Sequence, residues 1–116
     1  MNLEQAYNYC KAVKRSQEAM FRSNYVVFRV MGKIFMQIYL PHPDRIQLKC
    51  DPDMALDLRD KYWGILPGWH TNERHWNTVL LNADVDDAMI YKLIDLSVQE
   101  VIKTLSIKKR EEYRDG

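Results

Sequence analysis

The 116 residues carry 47% hydrophobic and 28% charged side chains with only four glycines and four prolines, which excludes a disordered, fibrous or collagen-like chain and fits one domain with one core. The net charge of +1 does not by itself call for a polyanionic partner. No stretch approaches the roughly 20 apolar residues of a membrane span, and Met1-Asn2-Leu3-Glu4 opens no leader pattern, so the expectation is a cytoplasmic protein without a membrane partner.

Charge is unevenly spread. Residues 1–50 hold eight Lys/Arg against three Asp/Glu, residues 51–100 hold four against ten, and the remainder hold five against three. A basic first half is compatible with phosphate contacts, and solvated faces of mixed sign would account for it equally.

Leu3, Ala6, Tyr7, Cys10 and Val13 recur at helical spacing behind Asn2, with Gln5 placed to complete a capping box. From Tyr25 to Leu40 the chain is β-branched, aromatic and Met-rich around Met31-Gly32-Lys33, a hairpin whose two-residue loop is either Met31-Gly32 or Gly32-Lys33. Ile46, Leu48 and Cys50 alternate with Arg45, Gln47 and Lys49, which predicts a half-buried strand with a basic outer side.

Asp51-Pro52 supplies an N-cap and first-turn proline for a second helix carrying Ala55, Leu58 and Tyr62 and ending near Gly64. Ile65 to Trp69 reads as a short strand broken at Pro67-Gly68, and Trp76 to Leu81 as a better one. A last helix is expected to open at Asp84 and to pack Leu93, Ile94, Ser97, Val101 and Leu105 on the sheet. Residues 107–116, mostly charged, read as a frayed tail of the single 1–116 domain. The expected architecture is α+β, with the order α-β-β-β-α-β-β-α and an antiparallel sheet carrying its helices on one face.

Catalytic signatures are missing: neither HExxH, Cys-x-x-Cys, GxGxxG nor a Walker pattern occurs, and Cys50 and Ser97 lie in no nucleophile elbow. His42, His70 and His75 lack metal-ligand spacing. Cys10 and Cys50 occupy apolar positions and read as buried hydrophobes. The expectation is therefore a non-enzyme without metal or small-molecule cofactor. Trp69 to Asn77 is the informative segment, with two Trp, two His, two Asn and Arg74 offering stacking surfaces and polar donors together, although these residues could equally serve to anchor the loop.

Two stretches carry a family resemblance: Leu48-Lys49-Cys50-Asp51-Pro52-Asp53, and Pro67-Gly68-Trp69-His70-Thr71-Asn72-Glu73-Arg74-His75-Trp76-Asn77-Thr78-Val79. With the Asn-Leu-Glu opening, the Gly-turned hairpin and the long closing helix, they make the chain resemble YjbR/MmcQ-like proteins over almost its whole length. The resemblance implies a two-layer α+β fold related to CyaY-like and secretion-chaperone-like arrangements, and DNA binding through exposed hairpin wings. Iron handling does not follow, because the first helix, read as reaching Glu18, sets Glu4 and Glu18 among Lys11, Lys14 and Arg15.

Under that reading double-stranded DNA would be contacted by Arg22, Arg29 and Lys33 of the hairpin region, by Lys49, and by His70, Asn72, Arg74, His75 and Asn77 of the loop. Glu73 departs from the family pattern, in which Lys commonly follows the Asn, and offsets Arg74 as a phosphate contact. The alternative is a protein partner, bound by an exposed sheet face or by the Met-rich hairpin of Met31 and Met36.

Overall fold

The computed structural model describes residues 1–116 as six strands and four helices. In chain order these are α1 (Leu3–Lys11), β1 (Gln17–Phe21), β2 (Tyr25–Val30), β3 (Lys33–Tyr39), β4 (Arg45–Lys49), α2 (Pro52–Lys61), β5 (Ile65–Pro67), β6 (Trp76–Leu80), α3 (Asp87–Lys103) and α4 (Ile107–Asp115). The sheet is antiparallel throughout with strand order β1-β2-β3-β4-β6-β5. The α+β class holds. None of the helices is long and apolar enough to cross a membrane.

The helix boundaries follow from local chemistry. Asn2 and Gln5 form the reciprocal capping box of α1, and Asp51 accepts the Met54 N–H in front of Pro52. The last long helix begins later than the acidic run suggests: Asp86 caps it by accepting from Met89. Asp84 instead accepts the backbone N–H groups of Trp63 and Gly64 at 2.9 and 2.8 Å, pinning the turn between α2 and β5.

Helix α3 lies across β3 and β4, α2 covers β5 and β6, and α1 rests on α3 and sets Tyr7 edge-on against Phe28. Leu93, Ile94, Ser97, Val101 and Leu105 are all buried. The register of β4 follows the alternation: Ile46 and Leu48 join the core, while Lys49 remains half-exposed. At the Phe28/Arg29 bulge the β3 strand gains a residue, so Phe35 and Met36 both enter the core.

Ladder pairing between β3 and β4 covers only Met36 opposite Leu48 and Gln37 opposite Gln47. Just beyond it, Ser97 inserts its hydroxyl, donating to the Phe35 carbonyl at 2.5 Å and accepting from the Lys49 N–H at 2.9 Å. A small polar residue in the apolar stripe of α3 thus satisfies two backbone groups where the strands part.

Three expectations need correction. Gln17–Phe21 is an edge strand, so the order gains a strand ahead of the hairpin and Glu18 belongs to β1 rather than α1. Its signal is weak because the turn into β2 uses Arg22 and Ser23 at φ of 52° and 58°, with no glycine to mark it. Residues 107–115 form helix α4, capped by Ser106 and tethered through Tyr113, over whose ring Lys14 sits at 5.1 Å. The hairpin loop is Met31-Gly32, with Val30 opposite Lys33 and both loop residues at positive φ; Met36 is fully buried and Met31 half-buried, so the methionines form no open patch.

Candidate functional site

The helices leave the opposite sheet face uncovered. Its strand positions are Gln17, Ala19 and Phe21, Tyr25, Val27 and Arg29, Gln37 and Tyr39, Arg45, Gln47 and Lys49, Leu66, and Trp76, Thr78 and Leu80. Glu18 is the single carboxylate in all six strands, and it points to the helix side, where Tyr7 donates to it. The outer face therefore presents Arg29, Arg45 and Lys49 without an acidic strand residue. Burying one side of a strand and charging the other is what the alternation of β4 encodes.

Over this face folds the loop after β5. Gln47, only 3% exposed, holds it: Trp69 N–H donates to Gln47 Oε1 at 2.7 Å, and Gln47 Nε2 donates to the Trp69 carbonyl at 2.9 Å. Thr71 Oγ1 donates to the same Oε1 at 3.3 Å. Gly68 is required by close approach, since a Cβ there would overlap Thr71 Oγ1 and Trp76 Cβ. Gln47 points to the side expected of it, but the loop buries it.

Trp69 meets Tyr39 at 4.6 Å between ring centroids, and His70 stacks on Trp69 at 3.7 Å and 16°. Tyr39 continues to Tyr25 at 5.0 Å and to His42 at 5.6 Å, and Tyr25 to Phe21 at 6.3 Å. His70, at φ 56°, brings Nδ1 to 3.2 Å from the Tyr25 hydroxyl, whose pKa burial raises. The result is an aromatic cluster crossing the face from β1 to the loop.

Beside Trp69 opens a cleft of about 210 Å³ lined by Gln37, Tyr39, His42, Arg45, Gln47, Leu66, Pro67, Trp69 and Thr78. Arg45 makes a two-point pair with Asp44, 2.9 Å from Nε and 3.0 Å from a terminal nitrogen. That hydrogen-bonded guanidinium lowers the Asp44 pKa. Thr78 donates to the Pro67 carbonyl at 3.0 Å. Gln37 is half-exposed on the cleft wall, and its side-chain carboxamide makes no hydrogen bond within the protein.

The residues expected to contact DNA do not share one surface. Arg22 lies near this face, over the Phe21 ring at 5.2 Å, and Arg29, Lys49 and His70 belong to it. Lys33 turns to the end of α3, donating to Thr104 Oγ1 at 2.9 Å. Arg74 lies beside α2 in a groove shared with Asp53 and Glu73. Asn72 accepts the Arg74 N–H at 3.1 Å within its own turn, and the half-exposed His75 gives its carbonyl to the Cys50 N–H at 2.8 Å.

Asn77, only 3% exposed, cannot reach a ligand as expected of it. It donates to the Ala55 carbonyl at 3.3 Å and accepts Arg59 Nε–H at 2.7 Å, while Arg59 also donates to the Glu73 carbonyl. Arg59 thus ties α2 to the loop from behind. Sequence reasoning missed it, together with Gln37, Tyr39, His42, Arg45 and Gln47; the signal was the polar set of alternate positions on adjacent strands.

Both cysteines are buried, and burial pushes their thiols up, Cys10 to about 12 and Cys50 to about 11. Such thiols are poor nucleophiles. No three His, Cys, Asp or Glu side chains are grouped to hold a metal ion.

Comparison with known proteins gives the same outline. The chain is 26% identical to the uncharacterised Escherichia coli K12 protein YjbR over 113 residues, covering 96% of each chain. It is 33% identical over 97 residues to the uncharacterised protein YbdF of Escherichia coli O157:H7, covering 83% of this chain and 80% of that one. A Deinococcus radiodurans crystal structure bearing a DUF419 domain superposes with a TM-score of 0.87 at 28% identity, covering 97% of this chain and 87% of that one. A Pseudomonas syringae crystal structure follows at 0.74 and 29%, covering 86% and 98%. The YjbR family model matches residues 11–99, which include the strands, the loop and the cleft described above, and the chain belongs to the YjbR family.

Proposed function

We propose that this protein is a nucleic-acid-binding module whose contact surface is the helix-free face of the sheet with the loop that folds over it. The observation that carries the reading is the charge on that face: its strand positions hold Arg29, Arg45 and Lys49 and no carboxylate, Asp44 pairing with Arg45 from the preceding turn, beside the aromatic chain from Phe21 to Trp69. Cations that follow a phosphate backbone and rings on which bases stack are the two ingredients of such recognition.

Binding fits the site better than catalysis. The Thr78 hydroxyl is committed to the Pro67 carbonyl, and the Tyr25 hydroxyl meets His70 inside the aromatic cluster. The expected contacts from Lys33, Arg74 and Asn77 fall outside this surface, whereas Arg22, Arg29, Lys49 and His70 remain with it.

The test is titration of a fluorescent single-stranded oligonucleotide and its duplex at several salt concentrations. Arg29→Ala and Lys49→Ala should each weaken binding and reduce the magnitude of the salt slope by about 1, and Arg74→Ala should leave both unchanged. Equal binding by all four proteins, or no binding at low salt, would refute the reading and return attention to a protein partner on the same face.

A further inference from the structure

We infer that the cleft beside Trp69 is a pocket for one unpaired nucleobase. The inference rests on the nucleic-acid reading above and adds what the site selects: an exposed base rather than a paired stretch of duplex.

Size limits the occupant. A volume of about 210 Å³ falls below the roughly 300–1,000 Å³ of sites that enclose a drug-sized ligand. One ring system fits such a space, whereas a dinucleotide or a folded peptide does not. The lining suits a flat ligand, since Trp69, Tyr39 and His42 pack on one another and Leu66 and Pro67 add apolar surface.

Polarity narrows the class further. Gln47 and Thr78 have their hydrogen bonds filled by the loop and by Pro67. Gln37 alone among these three offers an uncommitted carboxamide, a donor beside an acceptor, at the cleft wall. A carboxamide of this kind makes a two-point contact with a base edge. Arg45 also lines the cleft; Asp44 takes its Nε and one terminal nitrogen, and the other terminal nitrogen is left for the phosphate that a base carries with it.

The pocket is also preorganised. Gln47 fixes the Trp69 backbone at both N–H and C=O, Arg59 fixes the far end of the loop at Glu73, and Gly68, just ahead of Trp69, allows the close approach of Thr71 and Trp76. A ring entering the cleft would meet an aromatic wall already in place, so little ordering cost accompanies binding.

The test uses the intact chain and three probes: the four nucleoside 5′-monophosphates, inorganic phosphate, and a single-stranded oligonucleotide beside an abasic oligomer of equal length. NMR of the Trp69 indole N–H and the Gln37 carboxamide reports on the cleft directly. Nucleotides should shift both signals and phosphate should shift neither. The base-bearing strand should bind about ten-fold or more tighter than the abasic one. Gln37→Leu, on a half-exposed strand position that folding tolerates, should reduce that preference while leaving the salt slope intact.

Equal affinity for the two oligomers, or shifts by phosphate that match those of nucleotides, would overturn the pocket while leaving the backbone reading in place. Cleft shifts by nucleotides together with no effect of Arg29→Ala or Lys49→Ala on oligomer binding would support the pocket and refute the wider face.

Discussion

The carboxamide of Gln47 and the peptide of Trp69 form a closed two-point pair, 2.7 and 2.9 Å long, across the solvent side of the sheet. A side chain from the middle of a strand thereby takes the part of a neighbouring strand and holds a loop where a ladder would otherwise continue. Gln47→Leu should cost about 1–3 kcal/mol in urea unfolding, from the lost bonds of a buried group. It should also release Trp69, seen as a red shift in tryptophan emission. Trp69 is 40% exposed, so water can replace part of what is lost and the lower end of the range is expected. Unchanged emission would show that the aromatic contacts alone fix the loop.

Ser97→Ala removes a hydroxyl that serves Phe35 and Lys49 at once. Each orphaned buried backbone group costs about 1–3 kcal/mol. The denaturant midpoint should fall accordingly, with the helix content of the folded state unchanged. A loss within error of zero would mean that water reaches the gap.

Leu93 is 5% exposed among the α3 residues packed on the sheet. Leu93→Ala should destabilise by about 2–5 kcal/mol. A loss below roughly 0.5 kcal/mol would contradict the orientation of the helix.

Arg59 and Asn77 should be energetically coupled. A double-mutant cycle with Arg59→Met and Asn77→Ala should show an interaction of about 0.5–3 kcal/mol, because removing either leaves the other with an unfilled polar group. Additive losses would show that the bond has no weight in solution.

The two thiols set an alkaline limit. Folding raises Cys10 to about 12 and Cys50 to about 11 from an ordinary value of 9. The unfolded chain therefore loses these protons first, and the stability they contribute is fully present below pH 9 and is lost as pH rises through the folded values. Cys10→Ala should flatten that decline when melting temperature is followed from pH 8 to higher pH. A thiol reagent at pH 8 should label neither cysteine until denaturant is added; rapid labelling of the native protein would contradict the burial.

The sequence made several elements legible because local chemistry and tertiary placement agree. Asn2 and Asp51 announce their helices, Arg45 to Cys50 alternates cleanly, and Ser97 falls within the apolar stripe that α3 buries. Strand β1 was not legible: Ala19 and Met20 have no strand preference, and pairing with β2 imposes the conformation. Helix α4 was obscured by its charges, since its anchor is the single half-buried Tyr113. The site was half legible. The loop composition marked the right segment, but polar contact residues on β3 and β4 become neighbours only through the register of the sheet. Asn77 departs from the role that composition suggests, being enclosed, whereas Trp69 keeps the open stacking surface that the loop composition offered.

The narrow seam between β3 and β4 has a mechanical meaning. Two paired positions and the Ser97 hydroxyl join the three-strand meander β1-β2-β3 to the second half, β4-β6-β5. Gln37 and Tyr39 belong to the first body; Arg45, Gln47, Leu66 and Thr78 belong to the second, and the cleft straddles the line between them. Anything that grips both walls therefore acts as a splint across the shortest ladder in the sheet, on the face opposite the one where α3 already bridges β3 and β4 through its apolar side chains and Ser97.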